Sequence, residues 1–154
     1  MDKPALLFVC LGNICRSPLA EAAFRQAAAR AGLDADADSA GTGDWHIGSP
    51  PDRRACAEAR RHGLDISSYR ARQVVSADFR RFTHILALDR QNLTDLRALA
   101  PTDGSARLSL LLDHVADMQG RSVVDPYFGD AAGFAETWRE VDLAAKALVR
   151  ALGG

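Results

Sequence analysis

ALLFVCLGNICRSP, residues 5–18, passes within fourteen positions from an apolar run through a polar turn to a Ser-Pro pair. Ala5 to Val9 is almost wholly apolar, which suits a short strand buried on both faces of a parallel sheet. Cys10 to Arg16 then reads as a tight loop. Ser17-Pro18 supplies an N-cap residue and a proline at the first helical position. Leu19, Ala23, Phe24, Ala27, Ala28 and Ala31 continue one apolar side, and Gly32 ends it. Strand, loop, helix is therefore the opening unit.

The same alternation continues along the chain. Asp36 to Ala40 is a weak second strand, followed by a polar loop from Gly41 through Pro50-Pro51. A helix is expected over Asp52–His62, with Ala55, Cys56 and Ala59 inward, Arg53, Arg54, Arg60 and Arg61 in water, and Gly63 stopping it. Ile66 to Gln73 reads as loop, and Ser76 as the cap of a short helix through Phe79 and Phe82. Thr83 to Leu88 is the clearest internal strand. Asp89 caps a helix carrying Leu93, Leu96 and Leu99, and Arg107 to Leu112 is a further strand. After a loop from Asp113 to Asp130, Phe134, Trp138, Val141, Ala145, Leu148 and Leu152 mark the last helix by their spacing. Strands alternating with helices predict an α/β, Rossmann-like parallel sheet with right-handed crossovers, its site outside the carboxyl ends of the strands.

Composition bounds the rest. The chain has 154 residues, 47% hydrophobic and 25% charged, with a formal net charge of -1. One domain over 1–154 fits that length, with a folded surface of about 7,600 Å². Only Lys3 and Lys146 are lysines, and no basic footprint for nucleic acid is present. No apolar run is long enough to span a bilayer, and the start lacks the shape of a signal peptide. The odd count of 3 Cys argues against a disulfide framework and for a reducing interior such as the cytoplasm.

Chemistry concentrates in the first loop. Cys10 and Arg16 are six positions apart, between a strand and a helix start. Gly12 and Asn13 both tolerate left-handed backbone angles. Such a loop can turn successive N–H groups inward as an anion nest, and the N-terminus of the following helix adds to the same positive field. Arg16 brings a planar two-pronged donor for phosphate. A thiolate at Cys10 is stabilised there for the same reason as a bound phosphate, and the Ser17 hydroxyl is placed to donate to the sulfur.

CLGNICRSP, followed by SAGTGDWHIG and later DPYFG, resembles the low-molecular-weight protein tyrosine phosphatase family, from Ala5 to about Leu152. The resemblance implies a three-layer fold with a central four-stranded parallel sheet and the phosphate-binding loop after the first strand. It implies Cys10 as nucleophile, Arg16 as phosphate clamp and Asp125 as general acid. Asn13 and Ser39 match the polar pair that holds the loop, Ser17 the hydroxyl that assists the thiolate, and His62 a position tied to the loop network. Asp89 matches a supporting residue near the loop mouth, beside its alternative as a helix cap. Leu11 and Ile14 line the cleft floor, and Cys15, inside the loop, matches a residue that in relatives forms a reversible disulfide with the nucleophile. Phe128 stands where many relatives have tyrosine.

A thiol nucleophile cannot protonate a departing oxygen, so a second residue must; Pro126 narrows the backbone of Asp125, which suits that task, although an Asp-Pro pair is also an ordinary turn starter. Trp45, Tyr127 and Phe128 lie in polar loops where no core needs them, which favours a slot for a flat aryl phosphate. The expected activity is phosphotyrosine hydrolysis through a phosphocysteine. No cofactor is expected, and no metal, since His46, His62, His84 and His114 show no ligand spacing. The expected partner is a phosphotyrosine protein such as a tyrosine kinase, with phosphate or a similar oxyanion as inhibitor, in a bacterial cytoplasm. Two rivals are an arsenate reductase of the same fold that draws on external thiols, and a catalytically weak phospho-ligand binding module.

Overall fold

The computed structural model describes residues 3–153. Strands β1 (Ala5–Cys10), β2 (Asp36–Gly41), β3 (His84–Ala87) and β4 (Arg107–Leu110) form one parallel sheet in the order β2-β1-β3-β4. Helices α1 (Arg16–Ala31), α2 (Arg53–Arg61), α3 (Asp78–Arg81), α4 (Arg90–Leu99) and α5 (Ala131–Ala151) flank it. This is the expected α/β fold with a four-stranded parallel sheet, and its surface of 7719 Å² agrees with the value expected from mass.

Residues alternate across β1, so its two faces feed two cores. Leu6, Phe8 and Cys10 join the core closed by Leu19 and Phe24 of α1, Ala55 and Ala59 of α2, and Phe134, Val141 and Leu148 of α5. Leu7 and Val9 join the other, with Phe79, Phe82, Leu93 and Leu96. This alternation sends the Cys10 side chain toward α1. The strand order also reverses between β1 and β3, which opens a crevice at their carboxyl ends. Cys10 ends one strand at that crevice, and Asp89 follows the other closely.

Three local expectations change. Helix α1 begins at Arg16, and its N-cap, Cys15, makes no side-chain cap bond. Ser17 is therefore not the cap: it is fully buried, with its hydroxyl turned to the Cys10 sulfur and Asn13. The fourth strand stops at Leu110 instead of Leu112 and passes into a single 3-10 turn, Leu111–His114. The cause is the Asp113 carboxylate, which accepts the N–H groups of Leu110 and Gly120 and bends the chain back. The short third helix spans one turn without a side-chain cap, so Ser76 does not cap it.

Candidate active site

The loop between β1 and α1 is held from outside by its carbonyls. Those of Cys10, Leu11 and Ile14 accept the N–H groups of Thr42 (3.0 Å), Gly43 (2.9 Å) and Asp52 (2.8 Å). Carbonyls drawn outward leave the peptide N–H groups to face the loop centre, the polarity an anion nest requires. The Asn13 N–H lies 3.3 Å from the Cys10 Sγ, and the Ser17 Oγ lies 3.0 Å from it.

Asn13 carries the left-handed residue of the turn, at φ 58°. Gly12 does not; its space is needed because His46 packs on it, 3.0 Å from where a Cβ would stand. The Asn13 side chain is fully employed. Its Nδ2 donates to Ser17 Oγ (2.8 Å) and Ser39 Oγ (3.0 Å), and its Oδ1 accepts the Arg72 N–H (3.0 Å). Because Ser17 Oγ already accepts from Asn13, its own proton is free to point at the sulfur. Ser39 Oγ in turn donates to Glu21 Oε1 at 2.8 Å. Burial pushes the Glu21 carboxyl up, despite the bonds from Ser39 and Arg25 that pull it down.

Arg16 is buried beneath the loop. Its Nη1 donates to Asp89 Oδ2 (2.8 Å) and the Val123 carbonyl (2.9 Å), while its Nη2 lies 3.6 Å from Asp125 Oδ2. Burial opposes the guanidinium charge, but Cys10, Asp89 and Asp125 outweigh it and hold Arg16 firmly protonated. The other oxygen of Asp89 caps α4 by accepting the Asn92 N–H at 2.7 Å, so one carboxylate both meets Arg16 and starts that helix. Cys15 is buried, and burial first, then the charges of Asp52, Cys10 and Asp125, push its thiol well above the usual range. Cys10, Cys15 and Cys56 are all free.

Above the sulfur opens a cleft of about 210 Å³, lined among others by Leu11, Ile14, Trp45, Asp125, Tyr127 and Phe128. Trp45 lies over Gly43, where a Cβ would come within 1.9 Å of the ring, and is largely exposed at the rim of the cleft. Asp125 Oδ1 accepts the Tyr127 N–H at 3.0 Å. Tyr127 and Phe128 meet edge to face at 4.9 Å.

The structure thus brings together Cys10, Leu11, Gly12, Asn13, Ile14, Cys15, Arg16, Ser17, Ser39, Trp45, Asp89, Asp125, Tyr127 and Phe128. It does not bring His62 to the loop. That ring stacks on Trp138 at 4.3 Å and pairs with Glu58 at 2.6 Å, because it caps α2 on the side facing α5. Three polar residues at the site escaped the sequence reading. Glu21 stands one turn after Ser17 on α1, a spacing that could have flagged it. Arg72, which bridges Asp38 and Asp78, and Arg54, which was expected in water, left no local signal. Among the described residues, no group of three His, Cys, Asp or Glu is placed to hold a metal ion.

Residues 5–154 match the family model described as low molecular weight phosphotyrosine protein phosphatase. The chain is 46% identical over 126 residues to the low molecular weight protein-tyrosine-phosphatase YfkJ of Bacillus subtilis, covering 80% of this chain and 81% of that one. It is 39% identical over 136 residues to the low molecular weight phosphotyrosine protein phosphatase of Schizosaccharomyces pombe, covering 86% of each. The crystal structure of a protein tyrosine phosphatase from Entamoeba histolytica with Hepes in the active site is similar at a TM-score of 0.91 and 34% identity, over 97% of both chains. These matches place the molecule among the cysteine-dependent hydrolases of phosphate esters. More narrowly, the chain belongs to the low-molecular-weight phosphotyrosine protein phosphatase family. The arsenate reductase alternative is not favoured, and no cysteine follows Cys56 to accept an oxidation. Relatives come from bacteria and eukaryotes alike, so the expected bacterial setting does not follow from them. No helix among the described residues is long and apolar enough to cross a membrane.

Proposed function

We propose that the protein hydrolyses phosphotyrosine in protein substrates through a phosphocysteine formed on Cys10. The observation that carries this reading is the Cys10 sulfur at the floor of an aromatic-walled cleft, met by the Asn13 N–H and the Ser17 hydroxyl, with Arg16 lining the same cleft. The thiolate attacks phosphorus, the S–P bond forms, and the ester P–O bond breaks. Asp125 delivers a proton to the departing phenolate. Arg16 and the loop N–H groups hold the equatorial oxygens, where charge is spread during transfer. Water then attacks phosphorus as Asp125 takes its proton, the S–P bond breaks, and inorganic phosphate leaves.

Substrate choice follows from depth and shape. Trp45, Tyr127 and Phe128 wall the approach, with Leu11 and Ile14 beside the sulfur. A phosphotyrosine ring spans that depth, whereas phosphoserine is too short. Phosphate and related oxyanions act as competitive inhibitors at the loop, consistent with Hepes, a sulfonate, in the active site of the Entamoeba relative. A phosphorylated tyrosine kinase is one substrate of the required chemistry. The free Cys10 the reaction needs fits a reducing compartment such as the cytoplasm.

Turnover of a phosphotyrosine peptide in EDTA tests the activity, and acid quenching with labelled substrate tests the intermediate. The expected result is steady phosphate release and label on Cys10. Cys10→Ser is expected to abolish turnover while still binding vanadate or phosphate. Tight binding of the peptide by the unaltered protein without any turnover selects the binding-module alternative instead.

A further inference from the structure

Arg54, the second residue of α2, uses its guanidinium in four directions. Its Nε and Nη2 grip both oxygens of Asp52, at 3.0 Å and 3.1 Å. Nη2 also donates to the Tyr127 carbonyl at 2.8 Å, and Nη1 to the Gly129 carbonyl at 2.9 Å. Its flat face lies 4.7 Å from the centre of the Phe134 ring. Four of five N–H donors are spent on fixed partners, an arrangement the planar fork of arginine allows and a lysine does not.

The partners form a continuous path between the two halves of the site. Asp52 caps α2 by accepting the Arg54 N–H at 2.8 Å, and its own N–H donates to the Ile14 carbonyl of the Cys10 loop at 2.8 Å. Tyr127 is the residue whose carbonyl Arg54 holds, and the Tyr127 N–H is what holds Asp125 Oδ1. Gly129, the second carbonyl held, closes its turn onto Pro126 at 2.8 Å. Hydrogen bonds from the Arg54 side chain, against a weaker opposing effect of burial, keep the Asp52 carboxyl below its usual range, so the tie persists through neutral pH.

We propose that Arg54 is a positioning residue for the proton donor: it straps the Asp125–Gly129 turn to the Cys10 loop and so sets where the Asp125 carboxyl meets the leaving oxygen. The inference rests on the phosphatase reading, with Asp125 as acid. Arg54 touches no reacting atom.

A double-mutant cycle tests it, with Arg54→Gln, Asp125→Asn and the double variant, each assayed on phenyl phosphate (poor leaving group) and 4-nitrophenyl phosphate (good leaving group). A misplaced proton donor costs up to about 100-fold. Arg54→Gln is therefore expected to lower kcat/KM, which reports only the step that expels the leaving group, about 10- to 100-fold on phenyl phosphate and only a few-fold on 4-nitrophenyl phosphate. In the Asp125→Asn background it should add less than about twofold on either substrate. Arg54→Lys, which keeps charge and helix, should show the same leaving-group-dependent loss, because one ammonium cannot span both carbonyls. Hydrogen exchange at the Tyr127 and Gly129 amides should speed up in both Arg54 variants, with Val123 unchanged. Equal losses on the two substrates, or full additivity with Asp125→Asn, overturn the proposal while leaving the acid assignment intact. An Asp125→Asn variant equally impaired on both substrates overturns the acid assignment and this proposal with it.

Discussion

Between Cys10 and Ser17 the polar side chains are enclosed, whereas between Val124 and Asp130 most side chains face water. Asn13 and Arg16 are 3% exposed and Ser17 is 0% exposed, each with partners inside the protein. Val124 is 75% exposed and Phe128 96%. The difference follows the demands of the reaction. Charge developing on three phosphate oxygens is best met by dipoles fixed beforehand, which calls for a buried and saturated loop. The leaving group belongs to a protein substrate that must enter and depart, which calls for an open turn secured by few ties. One loop is held by its neighbours on every side, and the other by Arg54, the Val123 contact to Arg16 and its own Asx turn.

The largest expected effect separates core from rim. Phe24 belongs to the core behind the first loop, and Phe24→Ala should destabilise the fold by about 3–5 kcal/mol. Phe128→Ala, at a fully wetted position, should change stability by less than about 0.5 kcal/mol. Its effect should fall instead on KM for a phosphotyrosine peptide, with little change for a small alkyl phosphate. Denaturant melts and steady-state assays on both variants check the pair. A Phe128 variant that unfolds early breaks the contrast, because the second loop would then carry fold stability.

Within the enclosed loop, Ser17 offers a sharper cut. Its hydroxyl, supported by Asn13, faces the sulfur at 3.0 Å. A hydrogen bond to a charged group is worth about 1.5–3 kcal/mol. Ser17→Ala should therefore slow the chemical step about 10- to 150-fold, with KM nearly unchanged, as measured in single-turnover mixing. A loss under about threefold would show that Ser17 serves packing alone.

The same contrast explains what could be read from residues. The loop at 10–17 was legible because its parts are consecutive: an apolar strand, residues tolerant of a left-handed turn, an arginine and a helix start. The alternation of strands with helices was legible because apolar runs alternate with helical spacing, whereas the order β2-β1-β3-β4 within the sheet was not. What escaped depends on distant meetings. Nothing near Arg54 foretells that Tyr127 and Gly129, more than seventy residues on, will present carbonyls to it. His62 was assigned to the loop by resemblance, yet the opposite end of α2 turns it to Trp138. Ser17 looked like a cap because Ser before Pro favours one locally, but the buried sulfur took its hydroxyl.

The smallest expected effect lies far from either loop, on the side of β4, and asks whether acid weakens the frame that carries them. Burial holds the His114 imidazole below its ordinary value of 6.5, against the weaker opposing pull of Asp113, while its Nε2 meets Ser109 Oγ at 2.9 Å. His84 is lowered likewise, by burial first and then by Arg107 and His114. A depressed value means the unfolded chain takes up protons first as pH falls. The histidine contribution to stability is complete above pH 6.5 and is lost as pH drops through the folded-state value. Glu21, raised by burial, acts in the opposite sense, but it is common to wild type and variant and cancels in their difference. His114→Gln keeps a partner for Ser109 and cannot titrate. Between pH 7 and 5 its melting temperature should fall less steeply than that of the wild type. Parallel slopes would mean that the β4 edge is already wetted, and that the enclosure seen around Asn13 and Ser17 does not extend across the sheet.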